Sequence, residues 1–553
     1  MKILKKLLLY VNTVRHLKFK QFIFNFIRRF SGNQKIVNIS DVSCHPLNLI
    51  APIVYKNKID NDSVCFLNQK RSFEYISDWA CMDEPKLWRY NLHYFDYLLD
   101  TGASEQTKDK LIDDWIQASY NLKEDAWEAY PISLRLVNWV KYFIIYKNNC
   151  VPDAWLKSLY QQAHVLSNSI EYHILANHYL KNGKGIFFAG AYLNGKSSKK
   201  WFQQGKKILL EEIDEQVLDD GGHYEKSPMY HSIAVEDYLD IVNLINSNSL
   251  NISANETSYL NDKMVLMLDF LNQILMPDGN IPLLNDSAFK IAPHPDLIFE
   301  YANQVLNYKH INDSSSRNAI NTLASSGYFI IKNNLDMCVI DCGSVSPDYQ
   351  PGHTHCDLLS YELAINGIRV IVDTGVHDYE NGDDREYCRS TRAHNTIEID
   401  GLEQSEVWGQ FRVARRAEVH CASLVQEDEG RCVFTGSYSP YWSGATKVVH
   451  TRVLEQSSKQ WVIKDTATGS GSHEVNNFIH LHPDIGCINE AGRYFFIKDN
   501  IKLASISFSD NVVVHLDDGW YYPEFGVKQK NRVIRLLYKG DFPVQQEYMI
   551  EAL

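Results

Sequence analysis

Two histidines and an aspartate that alternate along one short segment are the residues best suited to chemistry in this chain. His353, His355 and Asp357 are two positions apart in Gly-His-Thr-His-Cys-Asp, just before the nearly alternating run 358–363. On a strand, side chains two positions apart face the same way. Such a set can bind a metal, or it can pair a general base with the group that orients it. Three such groups in five residues favour a site over histidines that are only hydrogen-bonded.

Two further candidate metal ligands lie C-terminal to this segment. Asp373 follows the apolar run 370–372, and His394 precedes the alternating run 396–399, so each marks the end of a predicted strand. Together with His355 they would supply two imidazoles and one carboxylate, a composition suited to zinc with one open position. Spacing alone does not prove the site, because the three ligands come from separate strands.

An Asn-His pair in the helical part of the chain is a candidate for carboxylate recognition. Asn177 could donate to a substrate carboxylate, and His178 could act as a base or neutralise that carboxylate. The alternative is a helix C-cap, because Asn182-Gly183 follows within a turn. Taken alone, the segment favours the cap.

A tyrosine near a predicted helix start is a candidate proton carrier. Pro228 is typical of a first helical position, and the helix would carry Tyr230 and His231. A correctly placed phenol near positive charge can move protons, although Tyr230 is one of 32 tyrosines and could simply pack.

Several cationic side chains are candidates for contact with an anionic polymer, because guanidinium groups pair well with acidic ligands. The candidate substrate contacts are His231, Arg135, Arg389, Arg392 and Arg412, the last three in a basic cluster that also includes Arg415 and Arg416.

The predicted secondary structure that must position these residues changes along the chain. Helical spacing dominates from about residue 75 to 310, whereas short β-branched and aromatic runs dominate from about 325. This order predicts an α+β, multidomain protein, with a basic extension over 1–74, a helical domain over 75–315 and antiparallel sheets over 325–553.

Composition excludes some classes of function. The chain has 553 residues, 45% hydrophobic and 22% charged, which is typical of globular domains. A net charge of −13 argues against a nucleic-acid partner but not against an acidic ligand in a local basic cleft. The 11 scattered cysteines, with no C-x-x-C pair, predict reduced thiols and a cytoplasmic location.

The first 30 residues are basic, with eight Lys or Arg and no Asp or Glu. We expect neither a signal peptide nor a transmembrane helix, because the apolar run 7–11 is too short for either. Two interpretations stay open: a basic amphipathic helix in peripheral contact with the inner membrane, or one packed on the acidic body of the protein itself.

The motifs together resemble the heparinase II/III family. The resemblance rests on Asn177-His178, the segment 220–231, the segment 353–363, Asp373-Thr374-Gly375 and the segment 392–396, in one order over roughly residues 75–480. It implies an incomplete (α/α) toroid followed by an antiparallel β-sandwich, and an acidic polysaccharide as partner. The family often has Gly between the two histidines, where this chain has Thr354, so the geometry there could differ.

The resemblance also implies roles for the site residues. Asn177 or His178 would neutralise a uronate carboxylate, and Tyr230 and His353 would move protons. His355, Asp373 and His394 match positions that hold a structural Zn²⁺ in some members, and no organic cofactor is implied. Asp357 would support the metal ligands from behind.

Abstraction of the C5 proton of a uronate can have two outcomes, and the sequence leaves both open. Expulsion of the C4 oxygen would make the protein a lyase of heparin-like or alginate-like polymers, whereas reprotonation from the opposite face would make it a uronate C5-epimerase. The expected cytoplasmic location leans towards an epimerase converting D-glucuronate to L-iduronate in a heparosan-like polymer, because a lyase there would attack polymer under synthesis. A non-catalytic polysaccharide-assembly protein is the third hypothesis.

Overall fold

The fold was analysed in a computed structural model that describes residues 2–30, 41–119, 121–122, 125–310, 319–427 and 430–553. Helices precede antiparallel sheets, so the predicted order of an α+β chain is confirmed. The predicted domain boundary at residue 315 lies outside the described residues. Within the described ranges, no helix combines the length and the apolar character needed to cross a bilayer.

Twelve α-helices lie within the described residues. They are α1 Lys2–Val14, α2 Phe19–Phe30, α3 Lys86–Tyr94, α4 Glu105–Ser119, α5 Ala129–Ile145, α6 Asp153–Asn168, α7 Ala176–Tyr192, α8 Lys196–Gln216, α9 Pro228–Asn246, α10 Ala254–Ile274, α11 Pro295–Leu306 and α12 Asp383–Arg389. Helices α5, α7 and α9 are buried along almost their whole length, whereas α6, α8 and α10 bury only one stripe. This alternation of inner and outer helices is the layering of an (α/α) toroid.

The stretch 182–185, which the sequence marks as a turn, lies inside α7. Gly183 and Gly190 let α8 approach closely: a Cβ on Gly183 would lie 2.5 Å from Ile208 Cγ2, and one on Gly190 would lie 2.3 Å from the backbone nitrogen of Phe202. The predicted C-cap after Asn177-His178 is therefore wrong. These glycines serve helix packing, and the Asn-His pair lies at the start of α7 rather than at the end of a helix.

The strands in the described part of the chain form five antiparallel sheets. The strands are β1 Ser63–Phe66, β2 Gln69–Ser72, β3 Ala319–Leu323, β4 Tyr328–Asn333, β5 Asp336–Asp341, β6 Tyr361–Ile365, β7 Ile368–Ile371, β8 Ile397–Ile399, β9 Val407–Trp408, β10 Arg412–Val413, β11 Glu418–Gln426, β12 Cys432–Ser439, β13 Val449–Ser457, β14 Gln460–Thr468, β15 Ser472–His480, β16 Gly486–Glu490, β17 Arg493–Lys498, β18 Ile501–Phe508, β19 Val513–Tyr521, β20 Gln529–Asp541 and β21 Val544–Ala552. The largest sheet has eight strands in the order β11-β12-β13-β14-β21-β18-β17-β16, a second has the order β19-β20-β15-β8, and a third runs β3 to β7 in sequence.

The sheet β3–β7 is buried on both faces and joins the two domains. Phe329 of β4 packs against Phe434 of the eight-stranded sheet, with ring centroids 5.0 Å apart. The next residue, Ile330, faces the other way into a cluster with Phe270 and Ile274 of α10. Because side chains alternate along a strand, one strand contributes to the sandwich core and to the contact with the toroid.

The segment 353–360 is a loop, not the strand that the alternation predicts, and β6 begins only at Tyr361. Its shape comes from the toroid. Asn285, in the connection between α10 and α11, donates from its backbone N–H to Asp357 and accepts from the backbone N–H of His355 through its side-chain oxygen. The two histidines are therefore placed by contact with a second domain rather than by strand geometry.

Candidate active site

A cleft of about 900 Å³ lies between the toroid and the sheet domain. Asn177, His178 and Tyr230 line it from the toroid, and His353 and Tyr379 line it from the sheet domain. The structure thus brings all four sequence-predicted catalytic residues to one cavity, which is where binding sites between domains are commonly built.

The start of α7 holds Asn177 and His178 in the cleft through an unusual backbone. Leu175 and Ala176 both have positive φ, 65° and 54°, a region that costs free energy for residues with a Cβ. Every residue of α7 except His178 is buried, so His178 is the most exposed of the α7 side chains that line the cavity.

Glu171 fixes the charge of His178. Its Oε1 lies 3.1 Å from His178 Nδ1, and the ring of Tyr130 lies 4.4 Å from the imidazole. Burial acts to lower the pKa of His178, but the attraction of the Glu171 carboxylate outweighs it, so the pKa is raised above its usual value. His178 is thus suited to carry positive charge at the cleft.

Tyr230 and His353 form the centre of the cleft. Ser227 caps α9 by accepting from the backbone N–H of Tyr230, and Pro228 occupies the first turn, as the sequence predicts. The rings of Tyr230 and His353 stack with centroids 3.8 Å apart, and the Tyr230 hydroxyl lies 3.1 Å from that of Tyr379. Burial, reinforced by Tyr379, raises the pKa of Tyr230 well above its usual value, so the phenol keeps its proton.

Asp286 orients both histidines of the loop. One of its carboxylate oxygens lies 2.8 Å from His353 Nδ1 and the other 2.7 Å from His355 Nε2, while Arg385 pairs with both oxygens. Although the site is fully buried, which would raise the pKa of Asp286, Arg385 and the two imidazoles hold that pKa well below its usual value. The carboxylate therefore stays charged, and its contact with Nδ1 turns His353 Nε2 away from Asp286.

Glu225 lies on the other side of His353. Its carboxylate is buried and approaches His353 Nε2 at 3.4 Å. Burial raises the pKa of Glu225. A carboxyl group that resists ionisation next to an imidazole is a common feature of sites that transfer protons.

A second cluster, made of His355, Asp357 and His394, lies close enough together to hold a metal ion. One ligand atom from each lies within 4.8 Å of the others, and all three residues are buried. His355 Nδ1 and His394 Nε2 have no hydrogen-bond partner among the described residues, which is costly unless a ligand binds them. The donors fit zinc, which prefers imidazole and carboxylate ligands.

Asp373 takes a different position from the one expected. Its Oδ2 accepts from His394 Nδ1 at 2.7 Å and so orients that ring from behind. Asp357, expected to support the ligands, is the carboxylate that lies among the ligand atoms. The structure therefore groups His355 and His394 with Asp357, because the loop fold turns Asp357 inwards, while the set of His355, Asp373 and His394 stays a prediction.

Two family models match most of the chain. The model of the heparinase II/III N-terminus matches residues 84–307, and the C-terminal heparinase II/III-like model matches residues 316–547. The chain belongs to the heparinase II/III family.

Similar proteins agree with this assignment. A heparin-sulfate lyase of Pedobacter heparinus is 29% identical over 44% of this chain and 39% of its own length. A heparin-sulfate lyase of Bacteroides thetaiotaomicron is 25% identical over 73% of this chain and 62% of its own. The chain thus spans less than two thirds of these curated relatives. The crystal structure of heparinase III matches with a TM-score of 0.68 and 17% identity, over 85% of this chain and 78% of that one, and shares its fold.

In this heparinase II/III family member, three of the predicted substrate contacts are structural. Arg135 is fully buried and donates to Gln162 and to the carbonyls of His93 and Ala126. Arg389 is buried and donates to backbone carbonyls, among them that of Thr354. His231 Nε2 lies 3.0 Å from the carbonyl oxygen of Met267, deep in the helical core. None of the three lines the cleft.

Arg392 and Arg412 are exposed but also lie outside the cleft lining, where they pack over the rings of Tyr387 and Trp408. Lysines line the cleft instead, and all of them except Lys56 form ion pairs with carboxylates. Those that line the cleft are Lys56, Lys58, Lys86, Lys181 and Lys290.

The structure also brings to the site residues that the sequence analysis missed: Glu225, Asp286, Tyr379 and Arg385. Glu225 lies inside the motif around Tyr230, and Asp286 follows the apolar pair Leu283-Leu284, so both carried a weak local signal. Tyr379 and Arg385 carried no such signal in the sequence.

Proposed function

We propose that this protein is a polysaccharide lyase that cleaves a uronate-containing, heparin-sulfate-like polymer by β-elimination. The observation that carries the proposal is the stacked pair of Tyr230 and His353, which places two proton-transferring groups side by side in a cleft with a carboxylate-binding pair, Asn177 and His178. The relatives named as heparin-sulfate lyases support the same chemistry.

Epimerisation, towards which the sequence analysis leans, has less support than elimination. An epimerase needs proton carriers on opposite faces of the sugar. Tyr230 and His353 are 3.8 Å apart between ring centroids, so no sugar ring fits between them. The toroid and the sheet domain bring the two rings together on one side, so this pair does not flank a sugar.

In the proposed reaction, the first task is to make the C5 proton acidic. The Asn177 side chain would donate to the uronate carboxylate, and cationic His178 would offset its charge. His353 Nε2 would then remove the proton, because Asp286 holds Nδ1–H and leaves Nε2 as the basic nitrogen.

Tyr230 would complete the elimination as the general acid. The electrons of the broken C5–H bond form the C4=C5 double bond while the C4–O bond to the next sugar breaks. The protonated Tyr230 phenol would give its proton to the departing oxygen. The products are a new chain end and an unsaturated uronate.

Zinc enters the proposal as a structural ion. His355, Asp357 and His394 would hold it, with Asp373 fixing the ring of His394. A bound ion would tie the loop of His353 to the sheet domain and so keep the base in place.

The decisive experiment uses heparosan, heparan sulfate, chondroitin and alginate separately in deuterated water. We expect ultraviolet absorbance from an unsaturated uronate with the heparin-type polymers. Deuterium at C5 without chain cleavage would contradict the proposal and would identify the protein as an epimerase. Binding without turnover on any polymer would favour the non-catalytic hypothesis.

A further inference from the structure

The two N-terminal helices direct their apolar faces into solvent. In α1, Leu4, Leu7, Leu8 and Val11 follow the spacing of one helix face, and each is more than half exposed, from 53% to 62%. An amphipathic helix on a globular protein normally buries this stripe against the core. In α1 the apolar stripe faces solvent instead.

Helix α2 also exposes its apolar face. Phe19, Phe22 and Ile23 again share one face, and Phe19 is 78% exposed. Large apolar side chains that are exposed on two consecutive helices are a feature that marks an interaction surface.

The opposite faces of both helices fix this orientation. Thr13 of α1 accepts a hydrogen bond from the indole N–H of Trp408 at 3.0 Å. Gln21 of α2 is buried and donates to the carbonyls of Ile174 and Tyr349, which belong to the two separate domains. The helices are thus attached to the protein body by polar contacts, and they cannot bury their apolar faces without breaking those contacts.

The charge of this segment indicates what covers the apolar faces. Residues 1–30 carry eight Lys or Arg and no acidic residue, although the whole chain has a net charge of −13. Of the basic side chains that the structure describes in this segment, Lys18 pairs with Glu215 and Arg28 contacts His173. A second copy of the chain placed on this surface would bring two equally basic segments together, which opposes self-association.

We propose that α1 and α2 form a docking surface for an anionic lipid membrane. The helices would lie in the plane of the interface, with Leu4, Leu8, Phe19 and Phe22 among the acyl chains and the basic residues at the headgroups. Apolar faces combined with Lys and Arg and without acidic residues suit this partner. The sequence left open whether this basic segment contacts a membrane or packs on the protein. In the proposed arrangement it does both, because the polar side packs on the protein and the apolar side faces the membrane.

Vesicle flotation of the full chain tests the proposal. We expect binding to vesicles of phosphatidylcholine mixed with phosphatidylglycerol, weaker binding at high salt, and little binding to phosphatidylcholine alone. Leu8→Glu and Phe22→Glu should each weaken binding by about tenfold or more, since each removes one large apolar side chain from the contact. Leu335→Glu, at a similarly exposed leucine in the turn between β4 and β5, is the matched control and should bind as the unchanged protein does.

Three results would overturn the proposal. The first is no binding to the anionic vesicles at low salt. The second is an equal loss of binding in Leu335→Glu and Leu8→Glu. The third is a dimer in sedimentation velocity that Leu8→Glu dissociates, without lipid binding by the unchanged chain; this would assign the surface to a second copy. Thermal unfolding of each variant should match that of the unchanged protein, because the substituted side chains are exposed.

Discussion

Tyr230 of the toroid and His353 of the sheet domain stack with their ring centroids 3.8 Å apart. Neither domain contains the pair by itself, because α9 supplies the phenol and the loop before β6 supplies the imidazole. Contacts of Asn285 and Asp286 with that loop join the domains at this point. The proposed chemistry therefore depends on domain docking as well as on residue identity.

Replacing the Tyr230 hydroxyl tests its role as the general acid. Tyr230→Phe removes one contact, with Tyr379, and leaves the stacked ring, so we expect an unchanged fold. The value of kcat should fall by about 10²–10⁴-fold, with little change in KM. Steady-state cleavage assays measure this, with Tyr259→Phe on the exposed surface of α10 as the control. A fully active Tyr230→Phe would remove Tyr230 from the mechanism.

Asp286→Asn tests the orienting carboxylate. The change leaves Arg385 buried without its charge partner and weakens the hold on His353, so both stability and activity should fall. We expect a loss of about 3–5 kcal/mol in the free energy of unfolding, measured by urea denaturation. Asp348→Asn, which removes the charge of an exposed carboxylate paired with half-buried Arg416, should cost no more than about 1 kcal/mol. Equal effects from the two variants would contradict a special role for Asp286.

Glu171→Gln tests the charge of His178 through the pH dependence of activity. His178 has a raised pKa in the folded protein, so its cation, and the stability of its pair with Glu171, persist below its usual pKa of about 6.5 and are lost as pH rises through the raised value. Without Glu171, the fall of kcat/KM on the alkaline side that is due to His178 should move to lower pH. A pH profile of Glu171→Gln that overlays that of the unchanged protein would refute this role for the cation.

Asp357→Asn and Asp373→Asn distinguish the two candidate ligand sets. Asp357→Asn should lower the zinc content measured by elemental mass spectrometry more strongly than Asp373→Asn, because Asp357 lies among the ligand atoms and Asp373 contacts His394 from behind. Chelation should lower the Tm of the unchanged protein. His420→Ala, at an exposed histidine, is the control. A metal-free protein whose Tm is unaffected by chelators would contradict the zinc proposal.

The sequence by itself determined the order of helices and sheets and the types of residue at the site. Helical and strand periodicities are local, so they can be recognised without knowing the fold. The motifs containing Asn177, Tyr230 and His353 were recognisable only together, through their resemblance to the heparinase II/III family, and the structure places all three in one cleft.

Only the tertiary structure decided which of these residues are in contact and which of them face the cleft. Asp357 rather than Asp373 lies next to the free ring nitrogens of His355 and His394, because contact with Asn285 shapes its loop. Arg135 and Arg389 have the charge of substrate contacts but are buried and bonded to backbone carbonyls. Burial, domain docking and the direction of a side chain depend on residues far apart in sequence. No local pattern encodes them, and the stacking of Tyr230 on His353 is one of their results.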